Sequence, residues 1–171
     1  MKVIYCFLFM NYISYNCSEN ELTSLKYSPK RISGVFICQL NKITSLKEGP
    51  TKVNMDFFAS FNNIEILDFI PEVGDRFRIR YNKLYDIQKI PDVNIFEFNN
   101  NPIQGVLELL QGNEPFEYHT NDLDMIIDYG VIDHKNLYLF RLNSLLLDLD
   151  KPELTEEQIN DLKKEGYLII Q

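Results

Sequence analysis

Hydrophobic and polar residues alternate most regularly over residues 74–90. Phe77 and Ile79 alternate with arginines, which is the period-two pattern of a half-buried strand. A three-residue loop over 82–84 places Ile79 opposite Ile87 on the buried side of a second strand. A shift by one residue would turn every side chain to the other face, so the pattern fixes this register. The segment therefore predicts an antiparallel hairpin.

Other apolar runs have the length and the β-branched or aromatic content of strands. They occupy residues 34–40, 64–70, 93–98, 123–127 and 137–142. Alternation of strand and helix is too rare for a doubly wound sheet, and no internal repeat is evident. The predicted fold is therefore α+β, with a mostly antiparallel sheet of about six to eight strands and two packed helices.

Local stop and start signals predict the two helices. Asn101 and Pro102 have the cap and first-position residues of a helix that Gly112 ends. Near the C-terminus, Thr155 and Gln158 form a capping box, and Gly166 is a left-handed stop. The last residues, 167–170, are apolar enough for a short closing strand.

Composition narrows the class of protein. The chain has 171 residues and a formal net charge of −8, which fits one soluble domain and disfavours nucleic acid as a partner. The acidic surface suits a basic protein partner. No apolar run approaches the ~18 residues of a membrane span. No cofactor is predicted, since no phosphate loop, dinucleotide fingerprint or nucleophile elbow is present.

The N-terminus has one lysine, an apolar stretch over residues 3–10, then Cys17 followed by the acidic run Ser18–Glu21. This layout resembles the signal peptide of bacterial lipoproteins. The resemblance implies cleavage of residues 1–16, lipidation of Cys17 and an envelope address, with the lipid as the only membrane contact. Residues 17–33 would then be a tether, and residues 34–171 a single domain. The alternative is a buried first strand over residues 3–9 in an uncleaved, cytoplasmic chain.

Arg76, Arg78 and Arg80 share one face of the predicted strand. Arginine suits carboxylate or phosphate binding because its guanidinium donates two parallel hydrogen bonds. The alternative is a solvated strand face on which Arg80 pairs with Asp86 across the hairpin. The three arginines are therefore a candidate anion site.

Both histidines of the chain lie among carboxylates, which is a donor set that suits a transition metal. The spacing matches no known metal motif, since Ile127 occupies the position where a calcium loop needs glycine. We predict no metal site here, and interpret the carboxylates as a weak candidate surface for a basic partner. The group comprises His119, Asp122, Asp124, Asp128, Asp133 and His134.

These observations name no catalytic residue. The favoured hypothesis is a non-enzymatic binding protein anchored to a bacterial envelope. The second is an intracellular inhibitor of a basic toxin or nuclease, similar in size and acidity to bacterial immunity proteins, and the third is an enzyme of unknown type.

Overall fold

Parallel strands spaced about twenty residues apart build this molecule, and the antiparallel α+β prediction is wrong. The computed structural model describes residues 14–111 and 120–171, which form a parallel β-solenoid of about four turns with thirteen short strands and four helices. Two compact units divide the chain. Unit 1 comprises residues 14–83 and Pro91–Asn100, and unit 2 comprises Leu84–Ile90 and Asn101–Gln171.

The strands are two or three residues long, and the helices follow them along the chain. In order, the elements are β1 (Tyr15–Asn16), β2 (Arg31–Ile32), β3 (Phe36–Ile37), β4 (Lys52–Val53), β5 (Phe57–Phe58), β6 (Ile66–Leu67), β7 (Glu72–Val73), β8 (Arg76–Arg78), β9 (Asp86–Ile87), β10 (Ile95–Glu97), α1 (Ile103–Gln111), α2 (Thr120–Asp128), β11 (Ile132–Asp133), β12 (Asn136–Tyr138), α3 (Leu139–Asp148), α4 (Glu156–Glu165) and β13 (Leu168–Ile170).

Two parallel sheets form unit 1. The larger runs in the order β1-β3-β5-β8-β10, and the smaller in the order β2-β4-β7. Each strand of the larger sheet has an aromatic ring on its buried side. Successive rings contact each other, with 5.1 to 5.8 Å between their centroids. These rings belong to Tyr15, Phe36, Phe57, Phe77 and Phe96.

Buried asparagines close three successive turns of unit 1, each against the turn before it. The Asn62 side chain accepts the N–H of Ile43 at 3.0 Å and donates to the carbonyls of Cys38 and Ala59 at 3.0 and 3.1 Å. Asn41 and Asn82 make the same set of bonds one turn earlier and one turn later. Because the amide satisfies backbone groups that no strand partner reaches, such short strands can stack without orphaned polar groups.

This ladder reveals a repeat that the sequence analysis missed. An aromatic residue is followed five positions later by asparagine in every turn, at intervals of 21, 21, 20 and 19 residues. The unequal intervals and the mixed residues at the other buried positions hide the period. The pairs are Tyr15 and Asn20, Phe36 and Asn41, Phe57 and Asn62, Phe77 and Asn82, and Phe96 and Asn101.

The predicted hairpin over residues 74–90 does not form. Strand β8 pairs in parallel with β5 and β10 instead. Asn82, expected in an exposed loop, is buried in the ladder, so the chain continues into the next turn rather than reversing. The predicted faces are right for Ile79 and Ile87, which are both buried, but wrong for Tyr81, which is 44% exposed, and for Asp86, which is buried.

The buried face of β8 gives a first testable prediction. Replacing Ile79, which is 0% exposed, by alanine should lower the free energy of unfolding by roughly 2–5 kcal/mol. Replacing the neighbouring Arg78, which is 32% exposed, by alanine should cost no more than about 1 kcal/mol. Urea denaturation of the two variants measures both values. Similar losses from both would contradict the assignment of faces.

Unit 2 confirms the helices that local signals predicted and corrects the strands. Helix α1 buries one face, and α4 has the Thr155–Gln158 capping box and ends at Gly166 with φ of 106°. However, the segment 123–127 is helical in α2, and only the start of 137–142 is a strand, because α3 begins at Leu139. The apolar residues of α3 repeat every three or four positions, which is a helical period.

The closing strand β13 is confirmed, and it pairs in parallel with β12. Strand β12 also pairs with β11 in the antiparallel turn around His134. The predicted tether, residues 17–33, carries β2 and the buried side chains of Cys17 and Leu25 within unit 1.

Several predictions fall outside the described residues. These are the signal segment or alternative strand before residue 14, the helix stop at Gly112 and the metal candidate His119. Among the residues that the structure does describe, no helix is long and apolar enough to cross a bilayer.

Candidate binding face

The five-stranded sheet of unit 1 has one buried side and one solvent-facing side, because side chains alternate along each strand. We call the solvent-facing side the outer face. Its central row follows the register of the sheet, from a polar end through two apolar residues to two charged ones. The row comprises Asn16, Ile37, Phe58, Arg78 and Glu97.

The three predicted anion-site arginines meet on this face around one carboxylate. The Arg78 Nε donates to Glu97 at 2.6 Å, and Arg76 and Arg80 approach the same carboxylate at 4.0 and 3.9 Å. We call these four residues the arginine cluster. The predicted partner of Arg80 was Asp86, which instead is buried in unit 2. Parallel stacking brings Glu97 beside β8 from the following turn, so the earlier pairing is wrong.

The cluster has more positive than negative charge and holds unused donors. Three guanidiniums share Glu97, and Asp56 stands beside Arg76 in the neighbouring strand without an ion pair in the described part of the chain. The Nε atoms of Arg76 and Arg80 are buried and have no hydrogen-bond partner there. A buried donor without a partner costs free energy, so Glu97 does not fully satisfy the Arg76 and Arg80 side chains.

Aromatic rings hold two of these guanidiniums in place. Arg78 lies over Phe58 at 5.2 Å from the ring centroid, and Arg80 lies over Tyr81 at 5.7 Å. The ring face attracts the cation and limits the side-chain conformations. The donors are therefore partly ordered before any ligand arrives.

Beside the cluster, exposed apolar side chains from three successive turns form a row. Leu40, Phe61 and Tyr81 are 45%, 47% and 44% exposed, and the rings of Phe61 and Tyr81 stack at 4.5 Å. Each of the three directly precedes an asparagine of the ladder. We call them the apolar row. Contiguous exposed apolar side chains of this kind mark interaction surfaces.

The backbone of the apolar row is strained. The φ angles of Leu40, Phe61 and Tyr81 are 57°, 57° and 53°, in the left-handed region that costs a bulky residue roughly 1–2 kcal/mol. Asn100 occupies the same place before Asn101, with φ of 60°, and asparagine tolerates this region better. The fold alone therefore does not require large apolar residues here.

The predicted acidic surface does not converge on one site. Asp122, Asp124 and Asp128 lie on α2, where Asp122 accepts from Gln111 at 2.7 Å. Asp133 lies in β11 and contacts the ring of His134. A basic partner for these residues stays a prediction.

A different carboxylate brings possible metal ligands together in unit 2. Atoms of Asp86, Asp133 and His134 lie within 4.8 Å of one another. Asp86 accepts the backbone N–H of His134 at 3.0 Å, and Asp133 contacts the His134 ring nitrogen at 2.7 Å. Burial and the nearby Asp133 carboxylate raise the pKa of Asp86. These hydrogen bonds account for the closeness of the three residues without a metal.

The lipidation candidate Cys17 is buried in the first turn. Its backbone N–H donates to Ile37, its carbonyl accepts from Asn41, and burial raises the pKa of its thiol to about 11. Burial also raises the pKa of Cys38. Cleavage directly before Cys17 would remove Tyr15 and Asn16, which form β1.

Thiol reactivity tests this arrangement. In a Cys6→Ala variant at pH 8, we expect Cys17 to react with a disulfide reagent at least about 100-fold more slowly than in urea, because a pKa near 11 depletes the thiolate. Absorbance of the released thiolate measures the rate. Mass mapping of the labelled chain identifies which cysteine has reacted, and a Cys17 that reacts as fast in the native as in the unfolded chain would contradict its burial.

One cavity in unit 1, of about 210 Å³, lies on the smaller sheet among Arg31, Ile32, Ser33, Lys52 and Asn54. Lys52 there is paired with Glu72.

Comparison with known proteins provides no relative. No family model matches the chain, and no curated protein or solved structure is detectably similar to it. The functional assignment therefore rests on the geometry of the outer face.

Proposed function

We propose that the chain is a non-enzymatic binding protein that takes a protein partner on the outer face, across the arginine cluster and the apolar row. The observation that carries this proposal is the apolar row itself. Large apolar side chains occupy strained, exposed positions at which asparagine is cheaper, so a role beyond folding accounts for them. Tyrosine, phenylalanine and arginine are also the residues enriched in protein interfaces.

The repeat supports the same proposal. In each repeat, an aromatic residue is followed by an apolar residue two positions later. The asparagine comes three positions after that, and a leucine or isoleucine two positions further on. This order resembles the leucine-rich repeat. Solenoids of stacked repeats offer extended surfaces that suit protein partners. This likeness is an analogy of fold and names no partner.

The proposed address has two alternatives. The lipoprotein-like N-terminus supports an envelope protein anchored at Cys17, as the sequence predicts. The buried Cys17 thiol and the pairing of β1 with β3 support a chain that keeps residues 1–16. The mass of the protein from its native host distinguishes them, since only cleavage removes residues 1–16.

Site-specific photocrosslinking tests the binding face. A benzophenone amino acid is placed at Phe61 or, as a matched control, at Tyr27, which is also an exposed aromatic at positive φ but lies outside the five-stranded sheet. In host-cell extract, we expect a discrete crosslinked protein from position 61 and none from position 27.

Two substitutions complete the test. Leu40→Asn and Phe61→Asn should abolish the crosslink from a probe at Phe58, while Tyr27→Asn should leave it unchanged. Because asparagine tolerates positive φ, the first two variants should remain folded in urea denaturation. Equal crosslinking from positions 61 and 27, or capture that ignores both row substitutions, would overturn the proposal.

A further inference from the structure

We infer that the segment bound on the outer face is acidic, an extended peptide stretch in which aspartate or glutamate alternates with apolar side chains. This inference rests on the proposed function and specifies its partner. It also reverses the expectation from net charge alone, under which an acidic chain takes a basic partner. The local charge of the face, and not the total of −8, decides what can dock there.

The arginine cluster has an excess of positive charge. Glu97 and Asp56, which stands beside Arg76, offset two of the three guanidinium charges, and the row that holds Arg80 contains no carboxylate, since its other residues are Ser18, Gln39, Ser60 and Asn99. A basic segment would therefore meet uncompensated positive charge. A segment that brings a carboxylate to Arg80 would complete the ion pairs.

Two hydrogen-bond donors of the arginine cluster have no partner in the described structure. The Nε atoms of Arg76 and Arg80 are buried and lack partners in the described structure, on either side of Arg78, whose Nε is bound to Glu97. The three side chains are about one-third exposed. A carboxylate can accept two parallel hydrogen bonds from each guanidinium. The exposed part of the cluster thus offers a carboxylate a position along β8 beside the one that Glu97 occupies.

The acidic surface of the chain and the apolar row disfavour nucleic acids and lipid headgroups as ligands. Phosphate on nucleic acid or on a lipid headgroup shares the chemistry of these arginines. The chain as a whole is strongly acidic and would be repelled by a polyanion over its remaining surface. The adjoining apolar row needs apolar side chains on the ligand, which a peptide has at alternate positions. A protein segment therefore fits both halves of the face.

A peptide selection with the full-length chain tests the inference. A random twelve-residue library is selected against the immobilised chain, and the strongest binder is labelled and titrated. We expect enrichment of aspartate and glutamate next to leucine, isoleucine or phenylalanine, with affinity that falls as salt is raised. Enrichment of neutral or basic sequences would overturn the inference.

Matched double variants locate the effect. Arg78→Gln with Arg80→Gln should weaken the selected peptide at least about tenfold. Arg31→Gln with Lys52→Gln, which removes the same charge from the smaller sheet, should change affinity less than about twofold. Equal weakening by both pairs would mean that only overall charge matters, and would overturn the inference.

A gain of affinity provides a second test that does not depend on losing an arginine. Glu97→Gln removes the carboxylate that competes for the cluster, so we expect the acidic peptide to bind severalfold more tightly. Unchanged or weaker binding would count against the inference. Urea denaturation of each variant checks that it is folded.

The remaining arms separate this inference from the proposed function. If Phe61→Asn abolishes peptide binding and the Arg78→Gln, Arg80→Gln variant keeps it, the proposed binding face is supported. The inference that its ligand is acidic is then overturned. Binding that ignores both would remove both proposals. A twenty-nucleotide DNA strand or phosphatidylglycerol vesicles that bind more tightly than the peptide, and lose binding with the arginines, would replace the peptide by a phosphate ligand.

Discussion

Replacing Asn62 by alanine is expected to lower the free energy of unfolding by about 3 kcal/mol or more. The side chain makes hydrogen bonds to the buried Ile43 N–H and to the Cys38 and Ala59 carbonyls. Its loss would leave these groups without partners, at about 1–3 kcal/mol for each group that water does not reach. Urea denaturation measures the loss.

The adjacent Asn63 provides the control for this experiment. It has the same chemistry but is only half-buried and lies outside the ladder. Asn63→Ala should change stability by no more than about half a kcal/mol. Comparable losses at the two positions would mean that the amide hydrogen bonds do not hold the turns together.

Phe57→Ala is expected to destabilise the chain by about 3–5 kcal/mol, as is typical of a buried phenylalanine. Its ring is 0% exposed and lies between Phe36 at 5.1 Å and Phe77 at 5.2 Å. The cavity left behind would interrupt the column of rings that joins the turns. Thermal or urea unfolding measures the effect.

The neighbouring Phe58 provides the control for the Phe57 substitution. It follows Phe57 directly but points to the outer face, under Arg78. Phe58→Ala should cost no more than about 1 kcal/mol of stability, yet weaken partner binding, whereas Phe57→Ala should act through stability. A large loss of stability at Phe58 would place it in the core and remove it from the binding face.

Sequence reasoning succeeded where the signal is local. The cap and stop residues of α4, from Thr155 to Gly166, lie within one helix and determine its ends by contacts between neighbours. The alternation around Ile79 likewise fixed which side of β8 is buried. Neither signal depends on which distant segment of the chain packs against the helix or the strand.

It failed where the partner is distant. Strand β8 was assigned to a hairpin because the nearest apolar run follows at once, whereas its real neighbours lie about twenty residues away in both directions. The decisive sign was the aromatic residue five places before each asparagine. Five such pairs recur along the chain, but their intervals drift and Asn82 also suits a turn.

The candidate site was half predictable for the same reason. Arg76, Arg78 and Arg80 are neighbours in one strand, so their shared face follows from alternation. Glu97 comes from the next turn, and the apolar row from three turns, so neither can be assembled without the stacking. Once the repeat is known, the residues before the three middle asparagines are identified as Leu40, Phe61 and Tyr81.

The ladder has a consequence for how this gene can change. Asn41, Asn62 and Asn82 each bond to the turn immediately before them, so the same contacts hold successive turns. Phe57 and Phe77 stand twenty residues apart, and joining Phe57 directly to Arg78 preserves the interval of five to the following asparagine. Loss or duplication of about twenty codons therefore keeps the stacking frame intact. Such events would shorten or lengthen the array while carrying new side chains onto its surface, and recognition could diversify faster than architecture.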